Sequence, residues 1–263
     1  MPEPSLEKPV DPTQGVMQPA EQPEIVPTPV RRYRTLLFQV LLFAVIGIFA
    51  FLTFLVETTP AFQIDLQITR SIQSIDSPFF AGLMMLISWP GFLPQSIIIT
   101  LLTAFLLYMY GLRWESVTSL LAAFFSGVSN ELVKGLIQRP RPSVDLVDVF
   151  GVLTSYSFPS GHVMFYTILF GFAWYVTYTL LKRSLTRSLL LGLLGGFILL
   201  VGASRIYLGQ HWASDVLGGY LLGGLILAGI ILVHLWGKTR FFVQQPAVPH
   251  DSTVNDDRLQ KNG

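Results

Sequence analysis

Long apolar runs alternate with short polar junctions along most of this chain. Six runs approach or reach the ~20 residues a helix needs to cross a bilayer: 35–56, 93–112, 116–137, 162–181, 189–208 and 215–236. The pattern predicts an all-α integral membrane protein, a six-transmembrane-helix bundle over residues 31–240. The third run is the most polar. It contains Ser126, Ser129, Asn130, Glu131 and Lys134, and its polarity rises toward its C-terminal end, as suits a helix that ends at a wet site. Between the first two runs, Ile64, Ile68, Ile72, Ile75 and Phe79 recur every three or four residues, one face of a helix that either lies in the outer interface or packs over the bundle. Residues 1–30 are rich in Pro, Glu and Gln without apolar periodicity, and 241–263 are polar; both are expected to be disordered tails. The first is not read as a signal peptide, because its basic residues come late and the apolar run after them is too long.

Composition agrees with the pattern. The chain is 51% hydrophobic and 13% charged, where a soluble domain carries about a quarter charged residues. A net charge of +1 gives no reason to expect a nucleic-acid or acidic partner. Cysteine is absent, which excludes disulfides, thiolate metal sites and thiol catalysis.

Lysine and arginine in short loops set orientation. With the N-terminus cytoplasmic, Arg31, Arg32, Arg34, Arg113, Lys182, Arg183, Arg187, Lys238 and Arg240 lie inside; Arg70, Lys134, Arg139, Arg141 and Arg205 lie outside. Four of the five outside cluster with unusual polar residues; setting these aside leaves a bias of nine to one. Both termini are then expected in the cytoplasm, in a cell (inner) membrane protein. Trp89 and Trp212 fall at the outer boundary and Trp114 and Trp236 at the inner, as an aromatic belt; Trp174 falls mid-span. Gly192, Gly196, Gly219 and Gly223 have the spacing of close helix packing, which a dimer face would share.

Three polar clusters fall on the predicted outer side: "KGLIQRPRP" from Lys134, "PSGH" from Pro159 to His162, and "SRIYLGQHWASD" from Ser204 to Asp215. Lys134, Arg141 and Arg205 supply positive charge, and arginine's planar fork suits phosphate oxygens. Ser160 is placed to N-cap the fourth span. Gly161 permits close backbone approach, and a helix N-terminus is an anion site. Asp215 stands four residues after His211, which on a helix shares its face. An aspartate there can accept from one imidazole nitrogen and leave the other free to attack. A second histidine can protonate a leaving group. The residues alone do not choose which histidine attacks, and the set needs no metal. Gly209 is expected to allow the turn. His234 and His250 read as solvated interface residues, Arg70 and Arg139 as surface or headgroup contacts, and Glu131 as a partner for Lys134. The loop from Ser143 to Tyr156 is expected to shape the entrance, with Asp145 and Asp148 solvated.

These residues resemble the type 2 phosphatidic acid phosphatase family of membrane enzymes, whose phosphate site is shared with vanadium haloperoxidases. The family pattern is Lys-x6-Arg-Pro, Pro-Ser-Gly-His, and Ser-Arg-x5-His-x3-Asp. Lys134 with Arg141-Pro142, Pro159 to His162, and Ser204-Arg205 with His211 and Asp215 match it at every position. The resemblance implies that His211 is the nucleophile, forming a phosphohistidine. Asp215 would orient it. His162 would protonate the leaving oxygen, and Lys134, Arg141, Ser160, Gly161 and Arg205 would hold the phosphoryl group. It further implies a lipid phosphatase without cofactor or metal, acting at the extracytoplasmic face. Its substrate would be a lipid phosphate or pyrophosphate: undecaprenyl pyrophosphate, phosphatidylglycerol phosphate or phosphatidic acid. A phosphotransferase on the same intermediate, or a transporter without chemistry, are the competing readings. Headgroup, tail and oligomeric state are not legible in the residues.

Overall fold

The computed structural model describes residues 28–59, 61–151 and 153–242. The expected tails lie outside these, apart from 28–30 and 241–242, whose backbone is helical; His250 also lies outside. By its contacts the chain divides at Leu41–Leu42, inside helix α1, Thr28–Thr58. From Arg32 to Leu41 every side chain is exposed. The part from Leu42 onward holds the remaining elements: α2 (Gln63–Gln73), α3 (Pro78–Ser88), α4 (Gln95–Met109), α5 (Arg113–Ile137), α6 (Gly161–Leu180), α7 (Leu185–Tyr207) and α8 (Ala213–Gly237). No strand occurs among the described residues. This is an all-helical integral membrane protein.

Helices α1, α5, α6, α7 and α8 are each long and apolar enough to cross a bilayer. The expected second span, 93–112, is not a simple crossing. Helix α4 has 15 residues, roughly 22 Å at 1.5 Å per residue, short of a ~30 Å hydrocarbon core. It follows α3 across a bend of 61°. The junction "WPGFLP" explains the break: Pro90 and Pro94 each remove a backbone donor, so no helix continues through it.

The single helix expected over Ile64–Phe79 also divides. Ser77 accepts from the Phe80 N–H (3.4 Å) and Pro78 opens α3, a strong start signal that interrupts the periodicity. Ile68 and Ile72 pack against the core, whereas Ile64, Ile75 and Phe79 are exposed. The buried face of α2 carries Asp65 and Thr69 instead.

Helix α5 is polar on its inner side. Glu115, Ser119, Ala122, Ser126, Asn130 and Lys134, spaced three and four apart, are buried, while Phe124, Phe125, Val128 and Leu132 face outward. In lipid the outward face must be apolar, and polar groups gather inside the bundle. At the centre lies α6, 61% buried over its apolar window where α5, α7 and α8 reach 22–28%. It packs Val163, Tyr166 and Leu169 against α3, α7 and α8, and Met164, Ile168 and Phe172 against α5 and α8. One π-helical turn, Tyr166–Phe170, interrupts it.

The small-residue spacing serves packing in one helix only. Gly219 meets the Ser160 carbonyl and Val163, and Gly223 meets Thr167 and Met164. A Cβ added at Gly192 or Gly196 would meet nothing within 4 Å beyond its own helix. Trp212 is not a belt residue: it is 2% exposed and its indole N–H donates to the Pro140 carbonyl (3.3 Å). Nor is His234 solvated. It is buried beside Glu115 (3.9 Å), and Lys238 also reaches that carboxylate. An acid in the first turn of α5 attracts both groups from the end of α8.

Candidate active site

Backbone bonds draw the three polar clusters together. Ser157 N–H donates to the Arg139 carbonyl (2.9 Å), and Ser160 N–H donates to the Asp215 carbonyl (3.1 Å). Gln210 and His211 N–H groups both return to the Arg205 carbonyl (3.2 and 3.3 Å), closing the turn between α7 and α8. Gly209 sits in that turn at φ +61°, where a side chain is strained, and a Cβ would strike the Asp148 carbonyl.

His211 therefore precedes α8 rather than riding on it, and the expected shared helical face with Asp215 is not what pairs them. Asp215 is the third residue of α8 and accepts the Trp212 N–H at Oδ2 (2.8 Å), an acid closing a helix N-terminus. That turn brings Oδ2 within 3.5 Å of His211 Nδ1. On the other side of the ring, Arg141 Nη1 lies 3.2 Å from Nε2. An arginine N–H can only donate, so Nε2 carries a lone pair and the proton belongs on Nδ1, facing Asp215. Burial pushes the His211 imidazole down to about 3, with the charge of Arg141 adding and Asp215 opposing. The ring is neutral, with its lone pair on Nε2.

Arg141 is tethered as well as charged. It donates to the carbonyls of Ser155 (2.6 Å), Tyr156 (3.1 Å) and Gln210 (2.6 Å) and to the Ser155 hydroxyl (2.9 Å). Lys134 is buried at the end of α5, 3.8 Å from Glu131. Arg205 is fully buried; its Nη1 donates to Ser88 Oγ (3.1 Å), while Nε and Nη2 have no protein partner. Ser160 occupies the N-cap position of α6 as expected, yet its hydroxyl caps nothing and is a buried polar atom without a partner. Gly161 is needed for space: a Cβ there would sit 2.9 Å from Asn130 Oδ1. His162 packs edge-on against Phe92 (4.5 Å between centroids) with Nε2 buried and unpartnered. Arg205, His211, Lys134 and Arg141 all act electrostatically on it.

Buried polar atoms are normally paired. Several of the unpaired ones, on Ser160, His162, Arg205 and His211 Nδ1 itself, belong to the segments that meet around His211. With the first N–H groups of α6, which lack intrahelical partners, those of Ser160, His162 and Arg205 can receive a tetrahedral oxyanion beside the His211 Nε2 lone pair.

Arg139 departs most from its sequence reading. It is not at the surface but 1% exposed, and its guanidinium bridges Asp65 (2.9 Å) and Asp215. Ser157 also donates to Asp215. The sequence reading missed Asp65, Ser88, Asn130 and Ser157. Asp65 left a signal, a charge amid the isoleucines of an amphipathic stretch, and Asn130 stood in the rising polarity of the third run; Ser88 and Ser157 are small polar residues without a motif.

Residues 115–239 match the model of the PAP2 superfamily. Over 121 residues the chain is 33% identical to phosphatidylglycerophosphatase B of Bacillus subtilis (strain 168), covering 44% of this chain and 56% of that protein. Over 124 residues it is 32% identical to an undecaprenyl-diphosphatase of Sulfolobus acidocaldarius, covering 46% and 55%. The chain thus spans little more than half the length of these curated relatives. Its fold resembles the crystal structure of a transmembrane PAP2 type phosphatidylglycerolphosphate phosphatase from Bacillus subtilis, with TM-score 0.66, 25% identity, and 77% of this chain and 98% of that one covered. Aquifex aeolicus LpxE shares the fold at TM-score 0.53 and 21% identity, over 66% and 98%.

Proposed function

We propose, from the match of residues 115–239 to the PAP2 superfamily model, that the chain is a membrane lipid phosphatase working through a phosphohistidine. The observation that carries this reading is the neutral, buried His211, with Arg141 at its Nε2 lone pair, in a site whose segments also hold Lys134, Ser160, His162 and Arg205. In the first step, the Nε2 lone pair attacks phosphorus. The bond from phosphorus to the leaving oxygen breaks, and that oxygen takes a proton from His162. Asp215 faces the imidazolium that forms, while the cations and the N-terminus of α6 hold the phosphoryl oxygens. In the second step, water attacks phosphorus and gives a proton to His162. The N–P bond breaks, its electron pair returns to His211, and inorganic phosphate leaves.

The substrate we infer is a lipid phosphate or pyrophosphate: phosphatidylglycerol phosphate, undecaprenyl pyrophosphate or phosphatidic acid. A cavity of about 460 Å³ supports a lipid tail. It is lined by Leu93, Ile97, Leu101 and Phe165 and reaches Asn130 and Gly161 at the site. The balance of basic residues supports an extracytoplasmic site with both termini in the cytoplasm. Lys134, Arg141 and Arg205 supply the positive charge that a metal would otherwise bring, so we propose a metal-independent reaction.

The test is phosphate release from a panel of the three lipids in detergent, with covalent labelling by a 32P-labelled substrate. Wild type should release phosphate and carry label; His211→Ala should do neither. Vanadate should inhibit and a chelator should not. Full activity of His211→Ala would sink the mechanism, and loss of activity to chelator would point to a metal.

A further inference from the structure

Building on the phosphohistidine reading, we propose that Asp65 is a positioning residue for the attack step. Through Arg139 and Ser214 it fixes the Asp215 carboxylate toward His211 and leaves the buried group with one net negative charge.

Asp65 lies on α2, far from α8 in sequence, and is 1% exposed. Its Oδ2 accepts from Arg139 Nη2 (2.9 Å) and from the Ser214 hydroxyl, and its Oδ1 accepts the Ser214 N–H (2.8 Å). The other end of the Arg139 fork, Nη1, donates to Asp215 Oδ1 and to Ser214 Oγ (2.7 Å). The Phe62 ring lies 5.4 Å from the guanidinium. One buried arginine thus holds two buried carboxylates.

A single carboxylate would neutralise Arg139 and complete a buried pair. A second leaves the trio itself at −1, beside Lys134 and Arg141, the cations that the phosphoryl oxygens engage. The arrangement makes chemical sense where a positive charge must form nearby. His211 becomes an imidazolium when Nε2 bonds to phosphorus while Nδ1 keeps its proton, and Nδ1 faces Asp215. Without Asp65, the charge of Asp215 would be matched entirely by Arg139, leaving the imidazolium no net counter-charge in a low-dielectric site. The geometry acts in the same direction. The bonds from Asp65 to Ser214 hold the first turn of α8, and Asp215 is the next residue. Asp65 touches no reacting atom, so it acts through Asp215.

The experiment uses the full chain in detergent and a 32P-labelled lipid phosphate, following phosphoenzyme formation in Asp65→Asn, Asp215→Asn and the double variant. Asp65→Asn should slow phosphoenzyme formation about 10- to 100-fold with KM little changed. In the Asp215→Asn background it should add little, and Asp65→Glu should restore part of the rate. An unslowed Asp65→Asn, or the same further loss in the Asp215→Asn background, overturns the proposal, because a purely structural role would be additive. Should Asp65→Asn not fold, Arg139→Lys replaces it in the cycle. A lysine cannot fork between two carboxylates, and the same non-additivity is expected. His211→Ala runs alongside. Retained labelling there sinks the phosphohistidine reading itself. Its loss beside an unaffected Asp65→Asn sinks only the role of Asp65.

Discussion

Arg141 Nη1 lies 3.2 Å from His211 Nε2. A donor on that nitrogen is compatible only with a neutral ring, and burial holds the ring neutral down to about 3. The ring's ordinary value in an unfolded chain is 6.5. Between those limits the unfolded chain binds a proton that the folded protein does not, so stability rises with pH across that window.

The first prediction follows from this sign. Lowering pH from 6.5 toward 3 should cost the wild type up to a few kcal/mol through His211 alone. His211→Gln should lose that component. Thermal midpoints measured against pH in detergent provide the check; equal slopes for both proteins would contradict a buried neutral His211.

Arg205 presents Nε and Nη2 without protein partners, while Ser88 holds Nη1. Replacing Arg205 with Lys keeps the charge but loses the fork. We expect kcat/KM to fall about 10²- to 10³-fold, the scale for removing one oxyanion donor, with vanadate inhibition weakened in parallel. Ser88→Ala should cost less, because it frees one Arg205 nitrogen without removing the cation. A Ser88→Ala loss equal to that of Arg205→Lys would show that orientation of the guanidinium dominates.

The residues that meet around His211 were legible because phosphate chemistry demands particular groups at particular spacings: Lys134 to Arg141, Ser160 to His162, and Arg205 to Asp215. Their supports were not. Arg139 is two residues from Arg141, and nothing local tells a buried arginine from a surface one; the difference lies in Asp65, brought to it by the packing of α2. The pairing of His211 with Asp215 was legible, but its physical origin is a helix N-terminus rather than a helical face. Apolar runs located the five helices that are long and apolar enough to cross a bilayer. The second run instead holds the 15-residue α4, joined to α3 across a 61° bend; a hydropathy window does not register the helix break at Pro90 and Pro94.

Gly161 and Asn130 are coupled by space. A Cβ at Gly161 would sit 2.9 Å from Asn130 Oδ1, and Asn130 Nδ2 donates to the Pro159 carbonyl (3.0 Å). Gly161→Ala should push the amide off that carbonyl and shift the start of α6, lowering both thermal midpoint and kcat/KM. Asn130→Ala leaves a buried carbonyl unpaired, at about 1–3 kcal/mol. The double variant should lose less than the sum of the two, since one mutation removes the atom the other strikes. Strict additivity in midpoint and rate would rule out the steric account.

A separate cluster tests whether stability and catalysis are spatially divided. Glu115 is 3% exposed and is met by Lys238 and by His234 (3.9 Å). It lies 19 residues before Lys134 on the same helix, about 28 Å along its axis, so the two ends of α5 lie a hydrocarbon thickness apart. Lys238 is partly exposed, so its attraction is screened and the direct gain is small. The larger effect of Lys238→Met comes from leaving the buried carboxylate without its ammonium partner, a loss of about 1–3 kcal/mol. Glu115→Gln removes the buried charge itself and should cost less. Both variants should keep kcat/KM for lipid phosphate within about twofold of wild type, because surface and remote changes reach chemistry only through unfolding. Thermal midpoints ordered wild type, Glu115→Gln, Lys238→Met from high to low, with unchanged phosphate release per folded molecule, are the expected result. A rate loss in Glu115→Gln without a midpoint change would instead tie this end of α5 to the reacting site.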